Sequence, residues 1–128
     1  MNDPAPRSAP LPAHVPYVAV IFTSVRTRDV GPDGQSVQVD DEGYGAMADR
    51  MGTLAREQPG YLGIDTARGA DGFGITVSYW ATEAHAAAWK QVTEHLGAQR
   101  LGRERWYEEY ATRVATVTRS YAWQRDGG

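Results

Sequence analysis

The stretch PGYLGIDTARGADGFGITVSYWATEAHAAAWKQVTEHLGAQRLGRERW, residues 59–106, decides the fold. Pro59 and Gly60 punctuate the chain before a strand-like run over residues 61–68. Gly69, Ala70, Asp71 and Gly72 supply a turn, and a second run ends in Ser78, Tyr79 and Trp80. Such a turn needs glycine where φ is positive, so the two runs are expected to pair as an antiparallel hairpin. Thr82 stands where an N-cap hydroxyl accepts an orphan backbone N–H, and an amphipathic helix is expected over residues 83–99. One indole leaves the hairpin at Trp80 and another leaves the helix at Trp89, so hairpin and helix are expected to meet there.

A chain of 128 residues suits one domain and is expected to bury roughly 60–70% of the surface its unfolded form exposes. The net charge of −3 offers no electrostatic pull toward nucleic acid, so none is expected as a partner. The absence of cysteine excludes a disulfide framework, a thiolate nucleophile and a thiolate metal site. No apolar run approaches the ~18 residues that span a bilayer, and the N-terminus lacks the apolar core of a secretory signal. A soluble, cytoplasmic chain without a membrane partner is expected. Pro4, Pro6, Pro10, Pro12 and Pro16 lie among small residues, so residues 1–16 are expected to form a disordered Pro-rich tail and residues 17–128 the folded domain.

Upstream of the hairpin, residues 17–25 (YVAVIFTSV) form a continuous β-branched and aromatic run, as in a strand covered on both faces. Residues 28–41 carry Gly31, Pro32, Asp33 and Gly34 and read as a rim excursion, with a short extended piece over 36–39. A helix is expected over residues 42–58, where Tyr44, Met47, Ala48, Met51, Leu54 and Ala55 recur at helical spacing. Asp40, Asp41 and Glu42 suit its positive end, and Arg50 and Arg56 lie toward the other.

In the second hairpin strand Ile75, Val77 and Tyr79 alternate with Gly74, Thr76, Ser78 and Trp80. The small face either leaves room for a ligand or meets solvent. On the second helix His85, Ala88, Trp89, Val92, His95, Leu96 and Gln99 fall within roughly 120° of one another, which places both histidines and the glutamine on the expected buried stripe. Gly97 and Gly102 are expected to interrupt or end this helix before a short turn within residues 103–110 and a long strand over 111–123.

The order βαββαβ specifies an α+β, ferredoxin-like fold, a four-stranded antiparallel sheet with both helices on one face. Its other face is expected to be covered by a second copy as a homodimer, with the long last strand reaching the partner's edge.

Several side chains could serve an oxygenase that needs no cofactor. His95 is the candidate base, Arg100 or Arg113 a holder for an anion, and the Trp80 indole a donor to a developing oxyanion. Trp89, Trp106 and Tyr79 suit stacking of a planar substrate. Plainer roles fit as well: a core histidine, packed indoles, and a solvated cluster of Arg100, Arg103 and Arg105. His85 lies beside a helix N-terminus and His14 in the tail; Glu108 and Glu109 are adjacent and point different ways. No dinucleotide fingerprint, phosphate loop, nucleophile elbow or metal-ligand spacing occurs, so no cofactor or metal is expected.

Pro59-Gly60-Tyr61-Leu62-Gly63, residues 75–80 and the helix around Trp89 resemble the antibiotic biosynthesis monooxygenase domain, a dimeric α+β barrel. The similarity spans residues 17–123. It implies a cofactor-independent monooxygenase acting on a small aromatic, polyketide-like or a quinol, with a non-catalytic ligand-binding or structural barrel and, behind that, a haem-degrading monooxygenase as the alternatives. Trp80 falls where the quinone-forming members keep a pocket tryptophan and Arg100 where they keep an arginine, whereas Thr76 and Ala86 replace their asparagine and tyrosine. The expected buried stripe with His95 and Gln99, the small face ending in Trp80 and this partial agreement together give His95, Trp80 and Arg100 as the catalytic candidates, with Trp89, Tyr79, Thr76, Gln99, Trp106 and Arg113 around the substrate. Of the haem-degrading pattern only Trp89 is present; Ile21 or Phe22 replaces the asparagine, and Gln99 stands at the offset of the histidine.

Overall fold

The structure, a computed structural model, describes residues 8–30 and 36–125. Residues 1–7 of the expected tail and residues 31–35 of the rim excursion lie outside the described residues. The elements run β1 (Tyr17–Arg26), β2 (Arg28–Val30), β3 (Ser36–Gln38), α1 (Asp41–Glu57), β4 (Tyr61–Arg68), β5 (Phe73–Trp80), α2 (Glu83–His95), α3 (Ala98–Leu101), a π-helical turn (Gly102–Trp106) and β6 (Tyr107–Val117). The main sheet has the order β4-β5-β1-β6 with every neighbour antiparallel, as the βαββαβ reading requires. The expected extended piece in the rim excursion is β3, which pairs with β2.

Local chemistry accounts for the boundaries. Asp40 caps α1 by accepting from the Gly43 amide, and Thr82 caps α2 by accepting from the His85 amide. In the hairpin turn Gly72 has φ of 90°, the Gly72 amide donates to the Gly69 carbonyl, and the Phe73 amide donates to Asp71. Gly97 adopts φ of 73° and ends α2, so the helix stops at His95 rather than at residue 99.

Strand alternation sorts the side chains. Val18, Val20, Phe22 and Ser24 of β1 share a face with Thr76, Ser78 and Trp80 of β5, and this face receives the helices. Trp80 is fully buried in a core with Val18, Ala55, Ala86 and Trp89, flanked by Val20, Met51, Leu54, Tyr61 and Val92. Its ring stacks on Trp89 with centroids 5.6 Å apart, the meeting of hairpin and helix expected from the indoles.

Two expectations are corrected. The last strand begins at Tyr107 and ends at Val117, not over residues 111–123; Val117 faces Tyr17, where β1 begins, so further residues have no strand in their own sheet to pair with. The buried row of α2 is Ala86, Trp89 and Thr93, which leaves His95 exposed and His85 only half-buried. At 100° per residue His95 stands roughly 180° from Ala86 and roughly 120° from Trp89, so the buried stripe is rotated away from it.

On the far side of the sheet, the Ala9 amide donates to Asp65, whose other oxygen accepts from the Tyr79 hydroxyl. Residues 8–16 therefore include a segment laid against β4, where a Cβ on Gly63 would sit 3.0 Å from that of Ala9.

Gly60 links hairpin and helix: its φ is 81°, its carbonyl accepts from the Ala81 amide, and a Cβ there would lie 2.3 Å from Cγ of His85. Gly60→Ala should destabilise the fold by about 1–2 kcal/mol from the left-handed backbone alone. The overlap with His85 adds to this. Urea unfolding should show a lower midpoint at unchanged slope.

Candidate functional site

At the end of the sheet away from Trp80, polar and aromatic groups collect between the strands and α1. Arg26 ends β1 and Arg68 ends β4; both guanidiniums face the Tyr44 ring of α1, at 3.8 Å and 5.4 Å from its centroid. Arg26 is almost fully buried, pairs with Asp41 at 3.2 Å, and donates to the carbonyls of Val39 and Trp106. Arg68 donates to Ser24 Oγ, to the Tyr44 hydroxyl and to the Gly72 carbonyl. Gly74 lies opposite Arg68 in the ladder, and a Cβ there would be 2.6 Å from the guanidinium carbon. The bare backbone of β5 is what admits the cation.

The π-helical turn supplies the aromatic wall. A Cβ on Gly102 would strike the Tyr107 ring at 2.7 Å, so glycine lets the turn close directly onto β6. Trp106 and Tyr107 then meet Tyr44 edge-on at 5.9 Å and 5.8 Å. Phe22, Tyr107 and Tyr110 form a second group with centroids 5.5–5.9 Å apart. Burial first, and then the hydrogen bond with Tyr44, push the Tyr107 hydroxyl above the ordinary phenol range despite Arg68 and Arg26. A bond that favours the protonated phenol is one the phenol donates, so the Tyr107 O–H is committed to Tyr44. An open groove of about 450 Å³ lies against Arg103, Tyr107, Glu108, Glu109 and Tyr110, with Arg103 donating to the Tyr110 hydroxyl. A second, of about 260 Å³, runs on the opposite face along Thr23, Val25, Phe73, Ala111 and Arg113.

The residues singled out from the sequence do not converge within one chain. Trp80 donates its indole N–H to Ser78 Oγ at 2.9 Å and is fully buried, so that donor is already committed. Trp89 fills the space against it. His95 and Arg100 are exposed. Gln99 donates to Thr93 and keeps a buried Oε1 with no partner. Thr76 bonds to Thr66 on the helix-facing side, while Tyr79 and Arg113 lie on the other face. The Tyr79 hydroxyl is pushed up to about 12 by burial and by its bond to Asp65. Trp106 alone among them joins the polar and aromatic cluster. The small side chains of β5 thus have individual explanations: Gly74 admits Arg68, Ser78 accepts from Trp80, and Thr76 meets Thr66.

Sequence reasoning missed Ser24, Arg26 and Arg68. The available signal was an arginine at inward parity at each strand end, with a glycine facing one of them.

Asp40 secures this end. It accepts from the Trp106 indole and the Gly43 amide, lies 3.8 Å from Arg105, and is held below the ordinary carboxylate range, chiefly by the Trp106 bond. A carboxylate whose folded pKa is depressed stabilises the fold above its unfolded pKa and loses that effect as pH falls through the folded value. Asp40→Asn, which keeps the cap and tolerates the left-handed backbone, should lower the thermal midpoint at neutral pH. The difference from the parent should shrink as pH falls below about 4, and melting curves across acid pH measure it.

No family model matches the chain. Among solved structures it is similar to Rv0793 from Mycobacterium tuberculosis, with a TM-score of 0.63 and 18% identity over 83% of this chain and 99% of that one. It is also similar to SnoaB, a cofactor-independent oxygenase from Streptomyces nogalater, with a TM-score of 0.53 and 13% identity over 89% of this chain and all of that one (100%). These likenesses show the fold, an α+β ferredoxin-like sheet. No helix of the described residues is long and apolar enough to cross a membrane. In sequence the chain is 46% identical over 111 residues to the uncharacterized protein YqjZ of Bacillus subtilis (strain 168), covering 87% of this chain and 88% of that protein, and it belongs to the same family as YqjZ.

Proposed function

We propose that this protein is a cofactor-independent monooxygenase of the antibiotic biosynthesis monooxygenase kind, acting on a small ionisable aromatic of polyketide or quinol type. The observation that carries this reading is the pair of rings Tyr107 and Tyr110, packed against Phe22, on the lining of a groove of about 450 Å³, in a fold shared with SnoaB. That volume suits one small planar ligand, and aromatic walls with a few polar groups are how such ligands are held.

In the reaction the substrate supplies the electrons. An activated methylene loses a proton, the resulting anion passes an electron to dioxygen, and recombination leads to a carbonyl. One oxygen atom ends in that carbonyl, and the other leaves as water with the two methylene hydrogens. The four electrons that reduce dioxygen come from the carbon. The protein has to exclude water, orient the ring and stabilise the anion by charge and hydrogen-bond donors. Arg103, on the lining of the groove, brings that charge and those donors. Glu108 and Glu109 on the rim are the carboxylates within reach of a proton leaving the groove.

With anthrones, which carry the activated methylene, an oxygen electrode should record stoichiometric uptake without added flavin, haem or metal. Replacing the exposed His95 by Ala should leave uptake nearly unchanged. A second reading, a non-catalytic ligand-binding barrel, is favoured by the stacking of Trp80 and Trp89, which leaves the Trp80 indole fully buried with its N–H given to Ser78. Binding of these aromatics without uptake would establish it.

The same proposal includes a homodimer. The face away from the helices exposes Phe73 and Ile75, and beyond β6 the aromatic rings of Tyr121 and Trp123 are 84% and 77% exposed. A second copy would cover both. Sedimentation equilibrium at micromolar concentration should return about twice 14.0 kDa. A monomer would exclude it.

A further inference from the structure

We propose that Arg68 is the anchor of an anion-binding site, and that the ligand it takes is a planar aromatic bearing a charged oxygen, a carboxylate or a phenolate. The inference rests on the proposed function only for the aromatic character of the ligand.

The anchor is built on one side and open on the other. A guanidinium carries five N–H donors. Among the described residues Arg68 gives three of them to neutral acceptors: one from Nη1 to the Gly72 carbonyl, and two from Nη2 to Ser24 Oγ at 2.8 Å and to the Tyr44 hydroxyl at 3.0 Å. Its Nε–H and a second Nη1–H meet no acceptor there. No carboxylate pairs with it among the described residues, whereas Arg26, its neighbour across the Tyr44 ring, pairs with Asp41. A half-buried cation whose partners are all neutral gains strongly from an added anion, because its desolvation is then offset by charge-assisted hydrogen bonds.

The surroundings give the ligand its shape. Ser24 is buried and Gly74 leaves the strand bare beneath the guanidinium, so the cation is fixed in place rather than free to swing. The next row of the same sheet face, from β4 to β6, is Thr66, Thr76, Phe22 and Thr112. Thr66 and Thr76 are hydrogen-bonded to each other at 2.8 Å, and Thr66 is exposed, so solvent reaches this floor from the β4 edge. A flat ring laid on that floor would rest on Phe22, and its anionic oxygen would face the donors that Arg68 has left.

Calorimetric titration of the whole chain with 2-naphthoate and with its neutral counterpart 2-naphthalenemethanol tests this directly. The anion should bind about tenfold or more tightly, the effect of charge-assisted hydrogen bonds to one guanidinium. Arg68→Gln should bring the two within about twofold. If that variant does not fold, NMR on the parent protein decides: 2-naphthoate should shift the Arg68 Nε–H signal and the amides of Gly74 and Thr76. Titration of 2-naphthol on either side of its own ionisation distinguishes phenolate from carboxylate, since tighter binding only when it is ionised supports the phenolate. Equal affinities for the anion and the alcohol, no binding of the anion, or shifts confined to Ile75 and Val77 on the other face would overturn the proposal. Anion-selective binding without oxygen uptake upholds it and removes the oxygenase reading. Uptake with anthrones alongside equal affinities for 2-naphthoate and the alcohol does the reverse.

Discussion

The stack of Trp80 on Trp89 is the contact on which the rest of the structure depends. It joins the last residue of the hairpin to the middle of α2 at 5.6 Å, and Tyr61 of β4 meets the same indole edge-on at 5.8 Å. Three elements therefore share one fully buried ring, and Val18, Ala55 and Ala86 close around it. Removing a buried tryptophan typically costs about 3–5 kcal/mol, against a total stability of about 5–15 kcal/mol for a domain. The indole N–H is satisfied within the same layer by Ser78, so the ring can be buried without stranding a donor.

That choice has a consequence for chemistry. With the Trp80 end of the helix–sheet layer filled, the polar groups are pushed to the other end. There the strands finish in Arg26 and Arg68, and α1 brings Tyr44 over both. Each cation is tolerated because backbone has been arranged for it. Carbonyls of Val39, Gly72 and Trp106 accept from the guanidiniums, and Gly74 removes the side chain that would collide with Arg68. The π-helical turn belongs to the same arrangement, since its inserted residue brings Trp106 and Tyr107 round to face Tyr44.

The fold shared with SnoaB and Rv0793 leaves its layers free to be filled differently, and function resides in the filling. In this chain the layer is filled by stacked indoles at one end and by aromatic and cationic groups at the other. At 13–18% identity most side chains differ on a shared fold, which is why likeness of fold does not transfer a reaction.

Much of the fold was legible in the sequence because its signals are local. The Gly69–Gly72 turn, the caps at Asp40 and Thr82 and the periodicities of strands and helices each depend on residues a few positions apart, and together they specified the order βαββαβ. Three features were decided only by tertiary structure. The rotation of α2 about its axis, which buries Ala86, Trp89 and Thr93 and exposes His95, depends on which face the sheet accepts, and several neighbouring stripes are apolar enough to serve. The end of β6 at Val117 depends on where β1 begins, a hundred positions earlier in the chain (Tyr17 against Val117). The meeting of Ser24, Tyr44, Arg68 and Tyr107 depends on strand register, since no residue's type or spacing along the chain records which side chain will lie opposite it once the sheet has formed.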